Sequence, residues 1–206
     1  MLFRSLTGRF PFFCSLITVI DGGWKGVTVQ GKTVSVATGA SAASAIDTGT
    51  TLIGGPSTDV AAIYAAIPGS QAVQGNGGFY AFRTSLFPTF NFCRILMAML
   101  ACSTNVSITL AFGGKPWSIN PVDMNLGPVN SGSSYCVGAI YGFTPVVGEM
   151  VLTNVPHWVI GDTFLKNVYT VFRTNPLSIG FATLSVLAGG SGVEQGEPLS
   201  LGVDVC

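Results

Sequence analysis

The chain has 206 residues, of which 9% are charged and 48% hydrophobic, and its formal net charge is zero. This length accommodates one large or two small domains. The sparse, balanced charge argues against nucleic acid as a partner. Gly, β-branched and aromatic residues are abundant, which favours a β-rich extracellular protein over a helical cytosolic one. The cysteine count is five, so at least one cysteine is free or lies outside the folded part.

The amino-terminal segment, residues 1–23, is predicted to be an irregular extension. Arg4 and Arg9 precede the apolar run 10–20, a pattern that also occurs in signal peptides and anchors. The run is too short for a transmembrane helix, and no small-residue cleavage site follows it promptly. We therefore expect no stable membrane span here, and the signal-like reading is the weaker one.

Apolar alternation predicts mostly β structure through residues 24–186. Residues 24–38 are predicted as a hairpin that turns at Gln30-Gly31, and residues 42–53 as a strand that enters a tight turn. Further strands are expected, in chain order, at residues 106–112, 117–119, 135–141, 158–161, 168–172 and 178–182.

One good helix is predicted at residues 56–67. Ser57 or Thr58 is expected to cap it, and Pro68-Gly69 to end it. A second, shorter helical turn is expected after Gly161. The tail, residues 187–206, is rich in Gly, Ser and Glu and is predicted to be flexible.

The string AIDTGTT, residues 45–51, places a carboxylate where a hydrophobic strand enters a turn. The hydroxyls of Thr48 and Thr50 can hydrogen-bond the Asp47 carboxylate, and Gly49 lets backbone amides approach it. Such surroundings hold a semi-buried carboxylate for acid–base chemistry. The alternative is a capped turn without a catalytic role, because a single Asp-Thr-Gly is a weak signal.

A second string, WVIGDTFLKNVY at residues 158–169, turns the weak signal of the first string into a specific one, because the two motifs occur together. It joins a buried strand to a helical turn that Asp162 is expected to cap. With DTGT at residues 47–50, it resembles the carboxyl-terminal lobe of pepsin-like aspartic proteases, most closely the fungal secreted type. The resemblance covers residues 24–82 and 102–186.

The resemblance implies a mostly β fold: a single lobe of the pepsin-like acid protease fold, with antiparallel sheets, a double-psi-type β-barrel and one or two short helices. It makes Asp47 a catalytic residue. Thr48 matches the residue that grips the opposite loop, Thr50 the one that bonds the carboxylate, and Gly49 lies between them.

The same resemblance assigns support and cross-linking roles. Val159, Ile160 and Gly161 match a strand that crosses beside the catalytic loop, where Gly161 lets the strands pass closely. Cys102 and Cys136 match the disulfide of the lobe, whose loss costs about 2–5 kcal/mol in small secreted domains.

The activity implied is aspartic endopeptidase action on a peptide or protein substrate, without cofactor or metal, in a secreted or vacuolar protein. Two facing carboxylates cannot both ionise readily, so one takes a proton from water while the other protonates the scissile carbonyl. Asp47 supplies one carboxylate. A missing amino-terminal lobe or a second copy of the chain is needed for the other, and the isolated chain is expected to be inactive.

The sequence departs from the family in residues 83–101, which interrupt the pattern between a hairpin and Cys102. Our hypothesis is that these residues, with 1–20 as a second candidate, are translated intron or mis-joined sequence. Transcript reads that span 83–101 as coding sequence would contradict it.

The remaining candidate residues favour structural roles. Asp21 lacks a neighbouring threonine, and the chain has one histidine, His157, which supports neither a His-dependent triad nor a multi-histidine metal site. Asp59, Asp123 and Asp162 are expected at helix starts or turns. The sequon at residues 105–107 (Asn-Val-Ser) is consistent with secretion but common by chance.

Two alternatives to a lobe that needs a missing partner lobe remain open. One is a homodimeric aspartic protease in which Asp47 of each chain completes the dyad. It predicts pepstatin-sensitive cleavage that rises with the square of dilute enzyme concentration. The other is a non-catalytic lobe that binds peptides, which predicts binding that survives Asp47→Asn.

Overall fold

The computed structural model describes residues 17–20, 24–72, 79–82, 100–101, 105–143, 146–147, 150–151, 156–185 and 188. The helices in this part of the chain are Ser57–Ala65 (α1) and Asp162–Leu165 (α2), with a 3-10 turn at Gly39–Ala42. The strands are, in chain order, Ile17–Ile20 (β1), Gly26–Val29 (β2), Lys32–Val34 (β3), Ser44–Asp47 (β4), Ile53–Pro56 (β5), Ser70–Ala72 (β6), Phe79–Phe82 (β7), Leu100–Ala101 (β8), Ile108–Ala111 (β9), Trp117–Ile119 (β10), Asn125–Pro128 (β11), Tyr135–Phe143 (β12), Val146–Val147 (β13), Met150–Val151 (β14), Trp158–Ile160 (β15), Val168–Thr174 (β16) and Leu177–Thr183 (β17).

The largest sheet holds β4, the strand that ends at Asp47. Its strand order is β1-β4-β15-β5-β12-β7-β6, and β8 and β11 also pair with β12. The sheet is mixed rather than purely antiparallel, because β15 is parallel to β4 and β12 is parallel to β5. The chain reverses between β4 and β5, so the strand between them must be parallel to one and antiparallel to the other.

The predicted hairpin is confirmed as β2 and β3. Gln30 and Gly31 form its turn with φ angles of 51° and 75°, as two-residue turns that match the strand twist require. With β9 and β10 the hairpin builds a four-stranded sheet in the order β10-β9-β2-β3. The expected strands after residue 105 are all present, and β12 extends two residues beyond its predicted end at Tyr141.

The predicted helix is confirmed as α1, and it packs one face on the core. Val60, Ile63 and Tyr64 are fully buried. The expected cap is wrong, because the N-cap residue is Pro56 and no side chain caps the helix. A proline there supplies a fixed φ and no side-chain acceptor, so the first backbone amides lack the bond that a serine N-cap would make.

A cluster of aromatic rings joins the two main sheets. The rings of Trp24 and Trp158 lie 4.3 Å apart, and Trp24 also packs on Phe112 at 5.7 Å. Phe112 contacts Phe164 of α2 and Phe181 of β17 at 5.4 Å and 5.3 Å. The hydrophobic core therefore extends continuously behind the strand that ends at Asp47.

The ordered fold begins earlier than predicted. Residues 17–20 were expected in an irregular extension, but they form β1, which pairs antiparallel with β4 along its whole length. Residues 83–99 and the tail from 189 onwards lie outside the described residues, so those predictions stand untested. Neither α1 nor α2, the helices of the described residues, has the length and apolar character that crossing a membrane requires.

Candidate active site

Asp47 is the last residue of β4, and its carboxylate is held by the turn that follows. The backbone N–H of Gly49 donates to Asp47 Oδ1 at 2.8 Å, and Thr50 Oγ1 donates to Asp47 Oδ2 at 2.6 Å. Each carboxylate oxygen therefore has one local donor. The carboxylate is half-buried, whereas Thr48 and Gly49 are exposed at the surface of the turn. An oriented, partly solvated carboxylate of this kind is suited to acid–base chemistry with a bound water.

The strand predicted to support this turn lies directly beside it. Val159 pairs with Ala45 of β4 on one side and with Gly54 of β5 on the other, and Ile160 pairs with Ile46 and Ile53. Since β15 occupies the space between β4 and β5, it bridges the strands that enter and leave the Asp47 turn. The main-chain bonds of three strands thus set the position of the carboxylate.

Gly161 ends β15 at a point where the chains pass too closely for a side chain. A Cβ atom at this residue would lie 2.0 Å from the carbonyl oxygen of Thr50 and 2.6 Å from that of Leu52. Both obstacles are backbone atoms, which cannot rotate away. The residue type at 161 is therefore required by the close approach of β15 to the Asp47 turn.

The helix α2 binds the far side of the same turn through its first residues. The N–H groups of Asp162 and Thr163 donate to the carbonyls of Thr50 and Thr51 at 2.8 Å and 2.9 Å. Thr163 Oγ1 also donates to Thr51 O at 3.1 Å. These bonds satisfy amides that a helix start leaves without intrahelical partners. Asp162 is the first helical residue and not the cap that was expected, since the N-cap residue is Gly161.

A polar network that the sequence did not reveal anchors the other end of α2. Asn167 donates through Nδ2 to Asp123 Oδ2 at 2.9 Å and to Thr163 O at 3.0 Å. Its Oδ1 accepts from the N–H of Asn120 at 2.9 Å. Asp123 also pairs with Lys166 Nζ at 2.6 Å. Lys166 and Asn167 stand in the second string, but no local pattern pointed to Asp123 as their partner.

The other acidic residues and the histidine have structural positions. Asp59 accepts from the N–H of Ala37 at 3.3 Å and lies in the first turn of α1. Asp123 is 6% exposed and ion-paired, as described above. His157 is exposed, and its N–H donates to Ala43 O at 2.8 Å. Asp21 lies outside the described residues, within which no cluster of three or more His, Cys, Asp or Glu side chains has the arrangement of a metal site.

Cys136 is disulfide-bonded and fully buried in β12. Cys102, its predicted partner, lies outside the described residues, so that pairing stays a prediction. The preceding residue, Ala101, pairs with Tyr135, next to Cys136.

Relatives of this chain are aspartic proteases. Major aspartyl peptidase 1 of Cryptococcus neoformans var. grubii is 38% identical over 175 residues, which cover 84% of this chain and 31% of that protein. The aspartic protease of Phaffia rhodozyma is 34% identical over 162 residues, covering 76% of this chain and 32% of the relative. Cathepsin D of Homo sapiens is 29% identical over 140 residues, covering 66% and 28%.

The chain spans about a third of the length of these curated relatives. The model of the family described as eukaryotic aspartyl protease matches residues 18–184. The match includes most of β1, the Asp47 turn, β15 and α2, and the fold is that of one pepsin-like lobe. The chain therefore belongs to the eukaryotic aspartyl protease family.

Proposed function

We propose that this chain supplies one half of the active site of an aspartic endopeptidase, with Asp47 as one of two catalytic carboxylates. The observation that carries the proposal is the paired support of this side chain by Gly49 N–H and Thr50 Oγ1. Both donors act on the carboxylate from its own turn. A second carboxylate and a shared water are then needed from the opposite side.

The proposed reaction divides two proton transfers between the two carboxylates. The ionised carboxylate accepts a proton from the shared water as the water oxygen attacks the scissile carbonyl carbon. The protonated carboxylate donates its proton to the carbonyl oxygen. Asp47 takes one of these roles, and β15 and α2 keep it from moving through their bonds to the turn.

We further propose that an amino-terminal lobe carrying a second Asp-Thr-Gly loop completes the dyad. Of the described acidic residues outside the turn, Asp123 binds Lys166 and Asn167, Asp59 binds the Ala37 amide, and Asp162 is the first residue of α2. The exposure of Thr48 leaves it accessible to such a loop. The substrates are peptides or proteins, and half of the binding cleft belongs to the other lobe.

The compartment proposed is extracellular or vacuolar. The disulfide at Cys136 supports an oxidising compartment, because structural disulfides persist outside the reducing cytosol.

A chimera tests the proposal most directly. It joins the part of Cryptococcus major aspartyl peptidase 1 that precedes the matched segment to this chain. We expect cleavage of a fluorogenic peptide at acidic pH that pepstatin inhibits. Asp47→Asn should reduce kcat by roughly 10³-fold or more, as removal of a core catalytic group does elsewhere. Asp59→Asn is the matched control and should retain kcat.

The chain alone provides the second arm of this test. We expect it to show no cleavage at any concentration. A rate that rises with the square of chain concentration would instead indicate a homodimer that shares Asp47. A folded chimera in which Asp47→Asn retains the parent rate would overturn the catalytic assignment. A folded chimera that binds peptides without cleaving them would favour a binding lobe.

A further inference from the structure

The chain contains one Asn-x-Ser/Thr sequon, formed by Asn105, Val106 and Ser107. None of the other asparagines has serine or threonine two positions later. Asparagine in this context is the acceptor for N-linked oligosaccharide in secreted proteins, provided that the site is at the surface. The sequence alone leaves open whether this copy is accessible.

The structure presents both recognition residues of the sequon to solvent. Asn105 and Ser107 are exposed, whereas Val106 between them is fully buried. The three residues lead directly into β9, and the alternation continues with buried Ile108 and Leu110. In an extended segment, residues two apart lie on the same side. The amide and the hydroxyl therefore share the outer side while Val106 anchors the segment in the core.

The backbone of the sequon is fixed without use of its two recognition side chains. The N–H of Gln30 donates to Ser107 O at 2.8 Å, and Gln30 Nε2 donates to Asn105 O at 3.1 Å. Both bonds end on main-chain carbonyls. In the described part of the chain, neither the Asn105 amide nor the Ser107 hydroxyl has a hydrogen-bonding partner.

The sequon also lies away from the Asp47 turn. It precedes β9 beside the turn of the β2–β3 hairpin, where Val29 pairs with Ile108. The opposite end of β9 leads to Phe112, which packs on Trp24 and Phe164 next to the catalytic strand and helix. An oligosaccharide on Asn105 would extend from the end of the sheet that does not support Asp47.

We propose that Asn105 is an N-glycosylation site of this protein. In the transfer, Asn105 Nδ2 forms a bond to C1 of the first sugar of an oligosaccharide carried on a lipid diphosphate. The bond between that C1 and the phosphate oxygen breaks, and the lipid diphosphate leaves with the bonding electron pair. The amide nitrogen gives up one proton to solvent, and no oxidation or reduction takes place.

The test is secretion of the full 206-residue chain from yeast behind a host signal sequence. The host signal ensures passage through the secretory pathway, so the outcome does not depend on the proposed protease activity or on the chain's own targeting. Occupancy is measured by intact mass before and after peptide-N-glycosidase treatment. Cleavage in ¹⁸O-water marks the modified asparagine for peptide mapping. A reporter glycoprotein from the same cells verifies that the host modifies its sequons.

We expect Asn105 to carry the label in the parent chain, and Asn105→Gln and Ser107→Ala each to abolish it. Ser107→Thr restores a sequon and should retain the glycan, which separates recognition from any effect on folding. Asn130→Gln is the matched control, since Asn130 is exposed but lies outside a sequon. An unmodified parent chain beside a modified reporter would overturn the proposal. So would a label on another asparagine, or a glycan that persists in Ser107→Ala.

Discussion

Leu100 pairs with Cys136 on β12, immediately next to the pair that Ala81 forms with Val137. β7 and β8 both run antiparallel to β12, while β5 and β11 pair with its other edge. The two short strands therefore occupy successive positions along one edge. Segments on either side of residues 83–99 act as a single strand of the sheet.

This continuity predicts that residues 83–100 can be deleted. Joining Phe82 to Ala101 places Phe82 opposite Cys136 and leaves Ala101 opposite Tyr135, so the register is preserved. We expect the shortened chain to have a free energy of unfolding equal to or above that of the parent, because folding no longer pays the entropy of bringing together the two ends of the deleted segment. Urea unfolding measures it.

Deletion of residues 83–99 is the matched control. This control keeps Leu100, so the joined strand has one residue more than the positions available opposite β12. The residues on one side of the join then shift by one position, which turns their side chains to the opposite face of the sheet. A lower urea midpoint for the 83–100 deletion than for this control would contradict the proposed continuity.

Gly161→Ala should strongly destabilise the lobe. Its Cβ atom would meet the Thr50 carbonyl oxygen at 2.0 Å, and the turn must move to relieve the contact. We expect a loss of about 2–4 kcal/mol in unfolding free energy. Gly180→Ala is the control, since a Cβ atom there meets nothing within 4 Å. Equal urea midpoints for the two variants would show that the close approach is unimportant.

Thr50→Val should destabilise the Asp47 turn, and Thr50→Ser should not. Valine keeps the branched shape but removes the donor that lies 2.6 Å from Asp47 Oδ2. Hydrogen bonds to charged groups contribute about 1.5–3 kcal/mol when shielded, and partial exposure here lowers the expected loss to about 1 kcal/mol. Chemical denaturation of both variants measures the difference. Equal losses would show that the hydroxyl contributes nothing to stability.

Asn167→Ala should cost more stability than Lys166→Met. Asn167 connects Asp123, the Thr163 carbonyl and the Asn120 amide, and its loss removes three hydrogen bonds from partly buried groups. We expect about 2 kcal/mol for this change. Lys166 is 55% exposed, so water replaces much of its interaction with Asp123, and its loss should cost below about 1 kcal/mol. Thermal or urea unfolding ranks the two, and the reverse order would refute this assignment of roles.

Tyr141 should make the fold sensitive to alkali. Burial raises the pKa of its hydroxyl above the ordinary value of 10.0. The folded state then holds the proton more tightly than the unfolded chain does. Stability from this group is intact below pH 10 and is lost as the pH rises through the raised folded value. The slope of unfolding free energy against pH above 10 should be smaller in Tyr141→Phe than in the parent, and equal slopes would contradict this role of Tyr141.

The local features of this protein were predictable from short stretches of sequence. Alternating valines around Gln30-Gly31 identified the hairpin, since turn chemistry and strand periodicity reside in adjacent residues. The string around Asp47 likewise indicated a carboxylate held by its own turn. Gly49 and Thr50 supply those bonds within three residues of Asp47.

The tertiary structure decided everything that depends on contacts between distant segments. It placed β15 between β4 and β5, which is why residue 161 must be glycine. It paired Asp123 with Asn167 and added β1 to the strand that ends at Asp47. Residues far apart in sequence meet there through backbone pairing and burial, and no local pattern encodes which segments become neighbours. The sequence by itself determined the carboxylate and its turn, and the packing of distant strands determined how rigidly that carboxylate is held.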